Sequence, residues 1–335
     1  VTDPVRMAAD AAVKQFIGPA AVISKWEGPR QHDWSWQFAF HAPGSGGGDL
    51  LLKVPRWQEA LTLEDALAAG EQDSTHRELD GLRRIEAAVL ASGDPGLTAV
   101  APLSYVSAVN GILMRRLDAV SLRDRLGMGR GRGDVAALFG RLGRWIGIFH
   151  AIDGPAETRP LSAAGEVGEL RDLEARLNGA GVAPRGLLPA VAMLRLAAEE
   201  MDGVPELVTE IHGDLNISNV LVGRDDRVAV IDPNRETGSV LDDLARVITD
   251  VRLDGSQLAS GGLLRTAAHV AAWEERLVAA AGYGEEPLLR YRLARHALER
   301  WAEVELEVTG PARVALLPGR TLLRRVVSHR LAAIV

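Results

Sequence analysis

No cysteine occurs among the 335 residues. Disulfides, cysteine-ligated zinc and thiol chemistry are therefore excluded, and a reducing compartment is permitted. Lysine is nearly as scarce. It stands only at 14, 25 and 53, while arginine is abundant, so each lysine asks for a reason. Long apolar runs are missing too, and nothing approaches the ~18 residues of a membrane span. The apolar stretch Phe16–Ser24 follows Lys14 as the core of a signal peptide would. However, Asp3 and Asp10 precede it and Gly18-Pro19 interrupts it, so it reads as a helix end running into a strand. There is also no basic excess: the formal net charge is −7, which argues against nucleic acid or an anionic membrane as partner. A cytoplasmic protein is the expectation.

What is present is a chain whose character changes once. Residues 4–17 read as helix and 20–28 as a strand. In WSWQFAFHA (34–42), Trp34, Trp36, Phe38 and Phe40 recur at period two, the mark of a half-buried strand. PGSGGGD (43–49) is a turn, and LLLKVP (50–55) is the next strand, completing a three-strand antiparallel meander. Helical patterns follow over 58–70 and 73–93, with Asp73 or Ser74 as N-cap and Gly93 as stop. Two more strands flank a Val109-Asn110-Gly111 turn. Beyond 117 the chain is mainly helical, over 134–152, over 161–203 and from 241 onward. The exception is one hairpin, in which NVLV and RVAVID are joined by GRDD.

The chemistry is concentrated in IHGDLNISNVLV (211–222). Asp214 and Asn219 are five apart, and Asp232 ends the hairpin's second strand. Three oxygen-bearing side chains thus come to one end of a two-stranded unit. Asn219 and Asp232 suit magnesium, a hard ion that takes few protein oxygens and leaves room for phosphates. Asp214 suits the acceptance of a proton from a hydroxyl. His212, His150 and Asp243 read as bracing or capping residues. Glu299, Glu303 and Glu307, four apart on a late helix, read as a solvated face.

The set HGD-x4-N, then Ile231-Asp232, then Asp243-Leu-Ala resembles the aminoglycoside phosphotransferase family, small-molecule kinases with the protein-kinase-like fold. GRWIGIFHAI (143–152) resembles the family's helix ahead of the catalytic loop. The resemblance implies an α+β, bilobal fold with an antiparallel-sheet N-lobe and a mainly helical C-lobe. Residues 1–117 would form the nucleotide-binding lobe with its hinge, and 118–335 the catalytic and substrate-binding lobe. It implies ATP and Mg2+, with a small hydroxylated molecule such as an aminoglycoside, sugar or amino sugar as acceptor. By the same resemblance, Lys53 holds nucleotide phosphates, braced by Glu78 or by its rival Glu71. Glu78 is preferred because Leu79, Leu82, Ile85 and Val89 set an apolar face beside it. Arg30 or Gln31, in the loop 28–33, would touch phosphates. Backbone groups of Met114, Arg115 and Leu117 would read adenine. A protein kinase is disfavoured, because only nine residues separate Asp232 from Asp242, too few for a peptide platform. A non-catalytic nucleotide-binding regulator is the remaining alternative.

Overall fold

The computed structural model describes residues 2–31, 35–43, 48–56, 62–68, 73–127, 134–181, 186–263, 265, 267–283, 287–307 and 317–334. Trp34, Glu71 and most of the glycine-rich turn (44–47) lie outside them. The chain divides into two compact units, one of Val1–Val120 with Val222–Pro233, the other of Ser121–Leu221 with Asn234–Val335.

The first unit opens with helix α1 (Thr2–Phe16), then strands β1 (Ser24–Gln31), β2 (Ser35–Ala42) and β3 (Gly48–Pro55). Helices α2 (Leu63–Ala68) and α3 (Asp73–Ser92) follow, and then strands β4 (Pro102–Val106) and β5 (Gly111–Arg115). The five strands form one antiparallel sheet in the order β1-β2-β3-β5-β4. Strand alternation splits its residues between two cores. Phe38, Phe40, Leu50, Leu52 and Leu113 face α1, whose Val5, Ala8, Ala9, Ala12 and Val13 recur at helical spacing. Ile112 and Met114 face the other way, onto Leu79 and Leu82 of α3. The β4–β5 turn is made by Asn110, held at φ +45°, a conformation asparagine tolerates better than most residues.

The change of pattern in the sequence puts a boundary at 117/118; the two compact units divide at 120/121, and the later segment Val222–Pro233 belongs with the first. The reason is visible in the backbone. Gly223 N–H donates to the Arg227 carbonyl, turning the segment back on itself. Thr98 N–H then donates to the Val228 carbonyl, and Val228 N–H to Gly96.

The second unit is mainly helical. It contains β6 (Ala119–Ser121), which straddles its start, and α4 (Leu122–Gly127), α5 (Val135–His150), β7 (Glu157–Pro160), α6 (Ala163–Gly179) and α7 (Leu187–Glu200). Next come β8 (Pro205–Ile211), β9 (Val220–Gly223), β10 (Val228–Val230, in the first unit) and β11 (Glu236–Ser239). The chain then runs through α8 (Val240–Leu253), α9 (Gly255–Ala259), α10 (Ala267–Ala281), α11 (Pro287–Glu307) and α12 (Leu317–Ala332). A three-stranded antiparallel sheet, β7-β8-β11, corrects the expectation of helices with a single hairpin. Its outer strands ETRP and ETGS are four residues each, the first exposed throughout and the second over Glu236 and Thr237, too short and polar to show a period-two pattern. Among the described residues no helix is long and apolar enough to cross a membrane.

Helix α5 lies closely against α10. A Cβ on Gly143 would stand 2.3 Å from the Leu277 carbonyl oxygen and 3.0 Å from Ala281 N. Elsewhere a charged network knits α6, α8 and α11. Arg292 donates to Glu166 and Glu206 at 2.8 Å, and Arg295 pairs with Glu166, Glu169 and Glu299. His296 lies between Asp242 (3.2 Å) and Glu299 (3.0 Å). Glu299 is thus engaged, and the expectation of a solvated face fails there. Burial alone would raise its pKa, but His296 and Arg295 outweigh burial and bring it from the ordinary 4.5 to about 2.

Two outcomes follow for stability. Gly143→Ala must push α10 away and should cost about 1–3 kcal/mol in denaturant unfolding; an unchanged midpoint would contradict the close approach. Because the folded-state pKa of Glu299 lies below its unfolded value, the unfolded chain binds that proton first as pH falls. The stabilisation is therefore present above the ordinary 4.5 and lost on the way down to about 2. Glu299→Gln should flatten the loss of stability in that acid window, and a wild-type slope in the variant would reject the assignment.

Candidate active site

The first group of functional side chains belongs to the first unit. Leu50, Leu52 and Val54 of β3 point toward α1, so the alternation turns Lys53 to the α3 face. Because β3 is the central strand, Lys53 is enclosed and only 9% exposed. Its Nζ donates to Glu78 Oε1 and to Asp232 Oδ1, both at 2.7 Å. Burial opposes the ammonium, but the two carboxylates outweigh it and hold its pKa above the ordinary value. Of the two acids weighed as its brace, Glu78 makes the pair; Glu71 lies outside the described residues. The sequence reads Asp232 only as a metal ligand and carries no local sign of this pairing with Lys53. Asp232 sits at φ +58°, with Arg235 at +55° a turn later. The chain thus turns after the strand at these two residues, both in the left-handed region.

Arg30 is exposed and pairs with Glu27 at 2.9 Å. In the sheet register Arg30 is opposite Gln37, and Gln37 opposite Lys53. Directly paired residues share a face, so Arg30 and Lys53 look the same way from strands about 10 Å apart. Gln31 ends β1, one residue on. In the segment expected to read adenine, Met114 is buried and Leu117 packs beside α3. Arg115 N–H donates to the Ala101 carbonyl and Arg116 N–H to that of Asp49. Those two donors serve the unit's own backbone.

The second group belongs to the other unit and is built around the loop after β8. Strand β11 pairs with β8 so that Glu236 faces Ile211. Ser239 then caps α8, its side chain accepting from Leu241 N–H. This brings the first turn of α8 to the loop's start. Asp243 there accepts from His212 N–H (2.8 Å) and Gly213 N–H (3.1 Å). Its Oδ2 also meets His150 Nε2 at 3.0 Å, while His150 Nδ1 meets the Tyr283 hydroxyl at 2.8 Å. Burial would raise Asp243, but hydrogen bonds from His150 and the loop overcome it and lower its pKa. Burial and the Asp243 charge push Tyr283 up to about 12, so its hydroxyl stays protonated. The Asp243 carboxylate can only accept, so His150 donates to it from Nε2. His212 is fully buried, its ring centroid 6.2 Å from those of Trp145 and Phe149, and its Nδ1 accepts from Asp214 N–H. Both histidines and Asp243 brace the loop, as their positions suggested.

Gly213 adopts φ +79°, and a Cβ there would lie 2.5 Å from a Glu236 carboxylate oxygen. Only glycine satisfies both constraints. The next residue, Asp214, turns an exposed carboxylate outward. Asn216 and Asn219 donate to it from their amide nitrogens at 3.2 Å, and Asn219 Nδ2 also meets the Asp214 carbonyl at 2.9 Å. These bonds engage the amide nitrogen of Asn219 and leave its amide oxygen out of the contact with Asp214. Asn216 was passed over in the sequence, although its oxygen accepts from Ser218 and Asn219 N–H and so shapes the loop. An asparagine two residues past an aspartate in a turn was the available signal. Asp250 was passed over as well; its carboxylate accepts from Ile217 N–H at 2.9 Å.

The family model for the phosphotransferase enzyme family matches residues 32–276. A search of the curated proteins finds no significant match. Among solved structures, the chain is similar to a choline/ethanolamine kinase family protein from Mesorhizobium loti. That likeness has a TM-score of 0.55 and 16% identity, over 99% of this chain and 98% of the other. It is also similar to the macrolide 2′-phosphotransferase of Brachybacterium faecium (TM-score 0.51, 16% identity, 97% of each chain). A glucosamine kinase solved with glucosamine, ADP and phosphate gives a TM-score of 0.53 at 13% identity, over 94% and 97%. These likenesses concern the fold, whereas the family model covers well over half of the sequence: the chain belongs to the phosphotransferase enzyme family and, as a member, is a small-molecule kinase.

Proposed function

We propose that the protein transfers the γ-phosphoryl group of ATP to a hydroxyl of a small molecule, with Mg2+ as the assisting ion. The observation that carries this reading is Lys53, a buried ammonium held by two carboxylates at 2.7 Å. Phosphoryl transfer asks the protein mainly for placed charge, and Glu78 fixes both the rotamer and the charge of this lysine. Lys53 grips the nucleotide phosphates, and Arg30, on the same face, adds a second cation at the sheet's edge.

The residues present fit magnesium. Among the described residues no group of three or more His, Cys, Asp or Glu could hold a metal, so an all-protein cage is not the design. Magnesium bound with substrate phosphates needs only one or two protein oxygens; in this reading the Asp232 carboxylate and the Asn219 amide oxygen would hold it. Asp232 already attracts a cation, since it pairs with Lys53. When bound, magnesium neutralises charge that develops on the phosphates. Asp214 accepts the proton of the attacking hydroxyl. The hydroxyl oxygen forms the new bond to phosphorus as the bond to the β-phosphate oxygen breaks, and ADP leaves.

For the acceptor, the charge pattern favours a neutral or weakly charged polyol, such as a sugar or amino sugar, over a strongly cationic aminoglycoside. From 232 to 335 there are fourteen acidic and fourteen basic side chains. The acids of the network, Glu166, Glu206, Asp242 and Glu299, are already met by Arg292, Arg295 and His296. They present no bare negative field to a cation.

A coupled ADP-release screen over aminoglycosides, amino sugars, sugars, nucleosides and choline-like alcohols tests the reading. At least one acceptor should give turnover, and Asp214→Ala should lower it by about 10²-fold or more. Turnover unchanged in that variant removes the mechanism, and turnover with no acceptor favours a nucleotide-binding regulator. Lys53→Ala should lower kcat/KM by about 10²-fold with the far-UV circular dichroism retained. A variant that unfolds instead marks Lys53 as structural.

A further inference from the structure

Asp250 has no part in the mechanism as proposed. It lies on α8 seven residues after Asp243, two helical turns on, so both carboxylates leave the helix on one face. Asp243 takes the loop where it begins, at His212 and Gly213. Asp250 takes it between the proposed base and the proposed metal ligand, its Oδ2 accepting from Ile217 N–H at 2.9 Å. The other backbone group of Ile217 is also held, its carbonyl accepting from Arg123 N–H of α4 at 3.0 Å. The Arg123 guanidinium returns to Asp250, 3.6 Å from the same carboxylate oxygen. The Ile217 side chain is fully buried. One residue is thus pinned through its amide, its carbonyl and its side chain, three positions after Asp214 and two before Asn219.

The local bonds of Asn216 and Asn219 shape this loop, but the Ile217 clamp attaches its middle to α8 and α4. Burial raises the Asp250 carboxyl above the usual range, against the pull of the Ile217 amide and Arg123. A carboxylate placed where burial opposes its charge requires a partner, and the partner here is a loop amide. We propose that Asp250 is a positioning residue: by holding the Ile217 amide it sets the register in which Asp214 and Asn219 are presented to the acceptor hydroxyl and the metal. This rests on the roles proposed above for Asp214 and Asn219.

Two variants separate the hydrogen bond from mere filling of space. Asp250→Leu keeps the size and loses the acceptor; Asp250→Asn keeps an acceptor oxygen and loses the charge. Asp250→Leu should lower kcat by about 10- to 100-fold, the scale of a small misplacement of reacting groups. It should leave the acceptor KM within about twofold and raise the Mg2+ concentration for half-maximal rate by about threefold or more. Asp250→Asn should recover most of both losses. A residue that only supports the fold would lower the melting temperature without moving the Mg2+ requirement. Wild-type kcat and Mg2+ dependence in Asp250→Leu, or an Asn variant no better than the Leu variant, overturns the proposal. Hydrogen exchange on the wild-type protein tests it even if a variant does not fold. The Ile217 amide should be strongly protected, and exchange at the rate of an exposed loop amide rejects the clamp. Asp214→Ala in the same assay keeps the two ideas apart. Turnover that survives it refutes the proposed chemistry, whereas full activity in Asp250→Leu beside an inactive Asp214→Ala removes only the clamp.

Discussion

A lysine on the central strand of a covered sheet is an unfavourable place for a charge, and the first unit is organised around making it acceptable. The ammonium of Lys53 is compensated from two directions, by Glu78 on α3 and by Asp232 from a segment 179 residues away. Each part of the unit contributes. The alternation of β3 aims the side chain, the packing of Leu79 and Leu82 fixes α3, and the bonds from Gly96 and Thr98 to Val228 anchor the returning segment. Asp232 is held at φ +58°, a conformation that is unfavourable for most L-residues and less so for aspartate. A local strain of this kind persists where the surroundings over-determine it, and the ion pair with Lys53 is part of those surroundings.

The second unit solves a different problem. Asp214 is exposed, as the proton acceptor proposed above has to be, so its own burial cannot fix it. The structure fixes the backbone on either side instead. Asp243 takes two amides at the loop's start, His212 is packed against two aromatic rings, and Asp250 takes the amide of Ile217. Buried carboxylates that accept several N–H groups stay ionised, and Asp243 shows this, with its pKa lowered although it is fully enclosed. Positioning is thus done by buried groups, and the outward-facing carboxylate is left for the proposed chemistry.

The parts of this plan that follow from periodicity were legible in the sequence. The apolar stripe of α1, the alternation of β2 and the third-strand location of Lys53 could all be read residue by residue. So could the preference for Glu78, because the apolar spacing of α3 placed it beside the core. What escaped detection depends on contacts between distant segments or on very short elements. Strands β7 and β11 are four residues long, and no pattern distinguishes them from loop. The Lys53–Asp232 pair depends on the returning segment, and nothing local announces it. Glu299 has the four-residue spacing of a solvated face, yet Arg295 and His296 on the same helix enclose it in a network with α6 and α8. Asp250 could have been found, since two aspartates seven apart on one helix share a face; a carboxylate in a helix is simply read as surface unless its target is known.

The buried ion pairs separate the uses of arginine and lysine. Where the protein needs a fixed cation it uses arginine: Arg292 bridges Glu166 and Glu206, Arg265 joins Asp254 in a nearly sealed pair, and Arg235 meets Glu210 with two parallel bonds. A planar fork with a permanent charge suits such clusters, because it holds several acceptors in one geometry. Lys14, by contrast, makes a solvent-exposed pair with Asp10 one helical turn away. Of the three lysines only Lys53 is buried. A lysine's rotatable donors and compact charge allow it to change partners without rebuilding the site. That is what the proposed chemistry asks of Lys53, which would keep Glu78 while exchanging Asp232 for a phosphate. An arginine there would hold both carboxylates more rigidly and could release neither as readily.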